Sequence, residues 1–294
     1  MTGLDSLAAT PGLTWADIGQ ATLAGPLLEL AERLDRRFVT LARRWRAAEL
    51  RFPPCIAAAD LERIDYFRSF PHLATFPVCL DPDDDNLARF AAGDPVTAGG
   101  RVVLSDLAPV EAVLTPAACY HLYAHFKGAG FEAPAYFTTR ATCFRRETHY
   151  RPLERQWSFT MREIVCLGTA AETQGFLDEA TYDVDALAAE LRLPLAWAPA
   201  SDPFFRPSRN PQYLMQQVDP TKHELLFDDR LAIASTNLHH DHFGRAFDLS
   251  RTDGSTGEPH PVHSACVAFG IERWLAAIVH QVGFDPVRWP EVGS

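Results

Sequence analysis

Apolar positions along this chain recur with two different periods, and the switches between them mark its elements. From Pro26 to residue 50, Leu27, Leu30, Leu34, Phe38, Leu41 and Trp45 return every three or four residues. That spacing lays one apolar stripe along a helix. Pro26 suits its first turn, and Phe52-Pro53-Pro54 closes it, because proline cannot continue an α-helix. Pro116 opens a second predicted helix, stopped near Gly128-Ala129-Gly130. The period then falls to two. Tyr136–Glu147 and Ser158–Leu167 read as strands joined by the polar loop 148–156, and His223–Phe227 and Leu231–Leu238 as a hairpin across Asp228-Asp229-Arg230. Ala170–Leu191 reads as helical with a break near Asp183. A last helix from about Gly270 to Val282 buries Leu275, Ile278, Val279 and Val282. Strands in succession, with helices before and after them, predict an α+β protein with an antiparallel sheet flanked by helices rather than a doubly wound one.

Composition narrows the class. With 294 residues and 47% hydrophobic positions, the chain can bury a large core by itself, and one catalytic domain spanning 1–294 is the simplest reading. No apolar run reaches membrane-spanning length, and MTGLDSLAATPGLTW lacks the basic start and apolar centre of a secretory signal. The expectation is a cytoplasmic protein without membrane attachment, whose six cysteines are free or metal-bound. A net charge of −11 lowers the expectation of a tRNA or DNA partner, since phosphate binding calls for a basic surface. Arginines 33, 36, 37, 43, 44, 46 and 51 crowd the first helix and its exit, against Glu29, Glu32, Asp35 and Glu49. They make either a solvated face or a docking surface for an acidic partner. The acidic run Asp81–Asp85 reads as a solvated loop.

Chemistry-bearing residues fall on the strands. Phe159, Met161, Glu163 and Val165 share one face of Ser158–Leu167, because side chains alternate. An aromatic ring and a carboxylate four residues apart lie roughly 13 Å from each other. That suits a nucleotide base at one end and a second substrate at the other. Arg145 and Glu147 share a face with Cys143, offering a fork for phosphate and an acceptor for an adenine amino group. The same stretch also reads as two half-exposed strands with a salt bridge. Cys119, Glu163 and Cys266 lie in three separate segments and can together hold zinc through two thiolates and a carboxylate, leaving a fourth position open as catalytic sites do. Cys55, Cys79 and Cys166 read as packing residues, and so, by preference, does Cys143. In His239-His240-Asp241-His242, His239 and Asp241 share a strand face, so a second two-ligand metal site is geometrically open.

Cys-Phe-Arg145-Arg-Glu147, the polar loop and Phe159 resemble motif 2 of the class II aminoacyl-tRNA synthetases. Gly270-Ile-Glu-Arg273 at a helix start resembles their motif 3, and Phe52-Pro53-Pro54 after a long helix their motif 1. Leu114-Thr-Pro-Ala-Ala-Cys119 is similar to a seryl-tRNA synthetase loop that ends in glutamate, and Cys119, Glu163 and Cys266 fall where the atypical zinc-dependent seryl enzymes carry their ligands. The resemblance implies a helical segment over about 1–50 ahead of a class II core at about 51–290. It implies ATP as substrate with Mg²⁺, Zn²⁺ binding the α-amino group, and a homodimer. It further implies catalysis by Arg145 and Arg273, and ATP contacts from those two with Glu147, Arg155, Gln156, Phe159, Lys222, Glu224 and Asn237. The amino acid would meet Cys119, Glu163 and Asn237.

About 50 residues precede the core, where a seryl-tRNA synthetase carries a tRNA-binding domain, so the activation half of the reaction is expected and the tRNA half is not. Asp65-Tyr-Phe-Arg-Ser-Phe-Pro-His-Leu and the block Thr142–Gly168 resemble the amino acid:[carrier protein] ligases. That resemblance implies activation of glycine or alanine and transfer to the phosphopantetheine thiol of a small acidic carrier protein. The competing readings are a minimal tRNA-charging enzyme and a non-catalytic amino-acid sensor.

Overall fold

A computed structural model describes residues 4–218, 220–252 and 257–293. At its centre lie β1 (Ala48–Leu50), β2 (Ala135–Phe144), β3 (Ser158–Gly168), β4 (Leu195–Ala200), β5 (Lys222–Phe227), β6 (Leu231–His240) and β7 (His263–Gly270), ordered β1-β2-β3-β7-β6-β5-β4. Only the short β1 runs parallel to its neighbour; every other pairing is antiparallel. The α+β expectation holds.

Three helices, α1 (Gly25–Ala42), α2 (Ala170–Glu190) and α3 (Ile271–Val282), cover one face. There Leu27, Leu30, Leu34 and Phe38 of α1 meet Ile164, Val267 and Phe269 of the sheet and Leu275 and Ile278 of α3. Phe38 stacks on Phe269 with ring centroids 4.1 Å apart. Fully burying each such side chain contributes about 1.5–3 kcal/mol. Side chains alternate along β3, so Arg162 faces α1 while Glu163 faces away. Arg162, 1% exposed, is held by both carboxylate oxygens of Asp35 at 2.8 Å and by Glu49 at 2.9 Å. Burial alone would raise the Asp35 carboxyl, but its bonds to Arg162 and Arg140 outweigh that and hold it below the usual aspartate value. This ionic cluster clamps α1 to the strand that carries Glu163.

Several boundaries differ from the sequence reading. The stripe from 26 to 50 is not one helix. α1 ends at Ala42, a 3₁₀ turn covers Arg43–Trp45, Arg46 turns left-handed at φ 54°, and Ala48–Leu50 joins the sheet. Trp45 keeps the period because it packs on Tyr136 and Phe176 from the turn. Phe52-Pro53-Pro54 therefore follows a strand. α2 runs without a break at Asp183, whose carboxylate accepts from Arg44, and starts in a capping box between Thr169 and Glu172. The helix expected from Pro116 begins at Tyr120 and ends at His125. Asp81–Asp85 is not a plain loop: Asp83 caps the helix Asp84–Ala92 through the N–H groups of Asp85 and Asn86. Asp228 and Asp229, at the centre of the turn closed by Arg230 N–H to Phe227 O in a three-residue hairpin loop, adopt φ 53° and 52°, the left-handed values such a turn requires. Of the crowded arginines, Arg37 pairs with Glu190 and Arg44 with Glu179 and Asp183, tying α1 to α2. Cys79 is exposed, so it is not a packing residue.

Candidate active site

The sheet face away from α1 and α2 floors a cavity of about 980 Å³, and all twelve residues expected from the sequence to touch metal, nucleotide or amino acid line it. Register explains how. Val165 pairs with Cys266, Glu163 with Ala268, and Cys266 with Asn237, so Glu163, Cys266 and Asn237 come to one face of three adjacent strands. Cys119 arrives from the other side, at the start of the helix Tyr120–His125. Glu163 Oε1 fixes that loop by accepting from the backbone N–H groups of Ala118 at 2.9 Å and Cys119 at 3.2 Å.

The ligand atoms of Cys119, Glu163 and Cys266 all lie within 4.8 Å of one another, and all three residues are buried. Three donors about 2.0–2.3 Å from one zinc ion would be separated by distances of this order. The surroundings of the two thiols favour the protonated form. The contact with Cys266, burial and the Glu163 carboxylate together push the Cys119 thiol well up. The contact with Cys119 works downward on Cys266, but burial and Glu163 prevail and raise it too. Among the described residues no cationic side chain forms an ion pair with Glu163, so a divalent cation would supply the positive charge that lets the two thiols give up their protons. The donor set therefore fits zinc, with the cavity at its open side. Among the described residues this is the only such group of three or more. No second group forms around His239 and Asp241: the strand stops at His240, and Asp241 instead accepts from Arg245 at 2.7 Å.

At the opposite end the groups sit where strands stop. β2 ends at Phe144, so Arg145 and Glu147 do not share a strand face with the buried Cys143 as the alternation suggested. Arg145 instead lies over the Phe159 ring, its guanidinium carbon 5.2 Å from the centroid, and donates to Pro116 O at 3.0 Å. Arg273 donates to the carbonyls of Glu154 and Ala232, both at 2.9 Å. Both guanidiniums are thus aimed by neutral carbonyls, and neither forms a salt bridge among the described residues. Glu147 accepts from Arg155 at 2.9 Å. Among the described residues the Gln156 side-chain oxygen is buried without a partner, an acceptor left for something else.

Lys222 is committed on two sides, to Asp202 at 2.9 Å and Glu224 at 3.1 Å. Asn237 donates to Ser235 Oγ at 3.1 Å and to Cys266 Sγ at 3.4 Å.

Sequence reasoning missed two residues of the cavity, Glu272 and Asp202, and gave a third, His239, a different part. Glu272, buried, takes the Thr160 N–H on both oxygens at 2.9 Å, and burial raises its carboxyl. It was visible inside Gly-Ile-Glu-Arg273 but given no part. Asp202 lies on an irregular stretch that carries no pattern. His239, read from the sequence only as a candidate ligand beside Asp241, faces the Cys266 sulfur, and burial keeps its ring neutral, lowered to about 3.

Comparison with known proteins agrees with this architecture. Residues 109–282 match the tRNA synthetase class II core domain (G, H, P, S and T). The chain is 35% identical over 272 residues to amino acid--[acyl-carrier-protein] ligase 1 of Bradyrhizobium diazoefficiens, spanning 89% of this chain and 79% of that protein. To ligase 2 of the same organism it is 37% identical over 253 residues, 82% of this chain and 72% of that one. Among solved structures, M. kandleri seryl-tRNA synthetase in complex with A. aeolicus tRNASec superposes with a TM-score of 0.80 at 19% identity. That superposition takes in 99% of this chain and 59% of the synthetase.

Proposed function

The chain belongs to the amino acid--[acyl-carrier-protein] ligases, built on a class II synthetase core, and from that premise we propose that it activates glycine or alanine with ATP and passes the aminoacyl group to the phosphopantetheine thiol of an acidic carrier protein. One observation carries the reading. A single cavity holds a buried Cys-Glu-Cys donor set at one end and, at the other, two arginines aimed by main-chain carbonyls.

In the first step the substrate carboxylate attacks the α-phosphorus of ATP and pyrophosphate leaves. Arg145 and Arg273 neutralise the charge that develops, from positions fixed before the reaction. Phe159, already under the Arg145 guanidinium, offers its face to adenine, and Glu147 accepts from the adenine amino group. Arg155, Gln156, Lys222 and Asn237 complete the ATP contacts, with Glu224 beside the phosphates and their Mg²⁺. Cys119, Glu163 and Cys266 would hold zinc, which supplies an open position for the α-amino nitrogen when bound. In the second step the carrier thiol sulfur attacks the acyl carbon, AMP leaves, and the thiol proton passes to solvent. No protein nucleophile is required. By analogy with its class the enzyme works as a homodimer in the cytoplasm.

The test is transfer. Mass spectrometry of a phosphopantetheine-bearing carrier, incubated with enzyme, ATP and glycine or alanine, should show one added aminoacyl group, while the carrier lacking its arm stays unchanged. Charging of tRNA instead would favour a minimal synthetase, and no charging of either acceptor an amino-acid sensor.

A further inference from the structure

We propose that His239 is a positioning residue that orients the Cys266 sulfur through its Nε2–H, an inference that rests on reading Cys119, Glu163 and Cys266 as a metal site. His239 is the extra residue of a β-bulge: Leu238 pairs with Ala265 and His240 with Ser264, leaving it without a partner across the ladder. Bulges of this kind re-aim side chains beside active sites. Here the ring's Nε2 lies 3.8 Å from Cys266 Sγ. Its Nδ1 faces two hydroxyls, Ser264 Oγ at 3.2 Å and Tyr123 OH at 3.4 Å.

The chemistry of these partners fixes the tautomer. A metal-bound thiolate carries no proton and can only accept, whereas a hydroxyl can donate or accept. With metal in place, Nε2 must therefore bear the hydrogen, and Nδ1 accepts from Ser264 or Tyr123. Packing prevents the ring from swinging out of this role. Phe243 meets His239 edge-on at 4.9 Å and stacks on Tyr123 at 3.9 Å. Asn237 Nδ2 lies 3.4 Å from the same sulfur, so two N–H donors converge on Cys266. Cys119 is placed differently, by its own backbone N–H to Glu163.

The experiment compares the unaltered protein with His239→Leu, which keeps bulk without a donor, and His239→Gln, which restores a side-chain N–H. Zinc affinity is read by chelator competition, and thiolate geometry by the thiolate-to-metal absorption of the Co²⁺-loaded proteins. Losing such an outer partner costs about 10–100-fold in metal affinity. His239→Leu should lose that much and shift the absorption band, while His239→Gln should recover most of both. Equal affinity and spectra in all three proteins would overturn the proposal. Failure of the unaltered protein to take up Zn²⁺ or Co²⁺ would instead overturn the metal reading itself. If His239→Leu does not fold, ¹⁵N-histidine spectra of the unaltered zinc-loaded protein decide. The Nε2–H tautomer is expected, and Nδ1–H would contradict it.

Discussion

At one end of the cavity Glu163 and Cys266 sit within adjacent strands, and at the other Arg145, Glu147 and Arg273 sit where strands stop. The first set is buried and placed by sheet register, so a one-residue slip would turn it to the opposite face. The second is partly open, and its guanidiniums are aimed by main-chain carbonyls at 2.9–3.0 Å. The difference matches what the proposed function asks each end to hold. A metal site tolerates little error in donor distance and gains from a stiff, dry frame. A nucleotide with several charged oxygens needs strong charge that can adjust as pyrophosphate departs.

Substitutions should separate the two ends. Cys266→Ala should have the largest effect. Amino-acid-dependent pyrophosphate exchange should disappear and zinc content should fall to background, while the folded state loses only about 1–3 kcal/mol. Exchange kept at full rate with that substitution would show that no metal is needed there. Arg145→Ala should lower the exchange rate by about 10²–10³-fold, the usual cost of removing one preorganised charge donor. Its zinc content should stay unchanged, and co-loss of zinc would mean that the ends are not independent. Arg155→Ala should be milder: it frees Glu147 from its ion pair, so KM for ATP should rise while kcat changes little. The smallest expected effect on exchange lies on the far side of the sheet. Asp35, with its carboxyl held down by Arg162 and Arg140, stabilises the fold above the ordinary aspartate value of 3.8. That contribution is lost as pH falls below this value through the lowered one. Thermal unfolding should show the loss on acidification, and Asp35→Asn should flatten that limb.

How much of this could be read from the sequence differs between the same regions. The end proposed for the nucleotide stands out in the sequence because its residues are contiguous: Arg145 to Phe159 run from the end of β2 through one loop into β3, and Gly270 to Arg273 form one helix start. The three donors proposed for a metal could be brought together only by pairing three distant segments, and spacing alone could not show that Val165 would pair with Cys266. Trp45 hid the end of α1, because it packs in step with the helix stripe from a 3₁₀ turn. Arg46 in a left-handed conformation gave no warning, since glycine or asparagine is the usual signal there. Asp202 was invisible for another reason: its placement depends on Lys222 and Gln216 across a loop, with no local period.

Pyrophosphate exchange with ATP across the twenty amino acids, on zinc-loaded protein, tests the central claim most directly. The account predicts exchange with glycine or alanine and with no larger side chain. No exchange with any amino acid, on folded protein of confirmed zinc content, would contradict it.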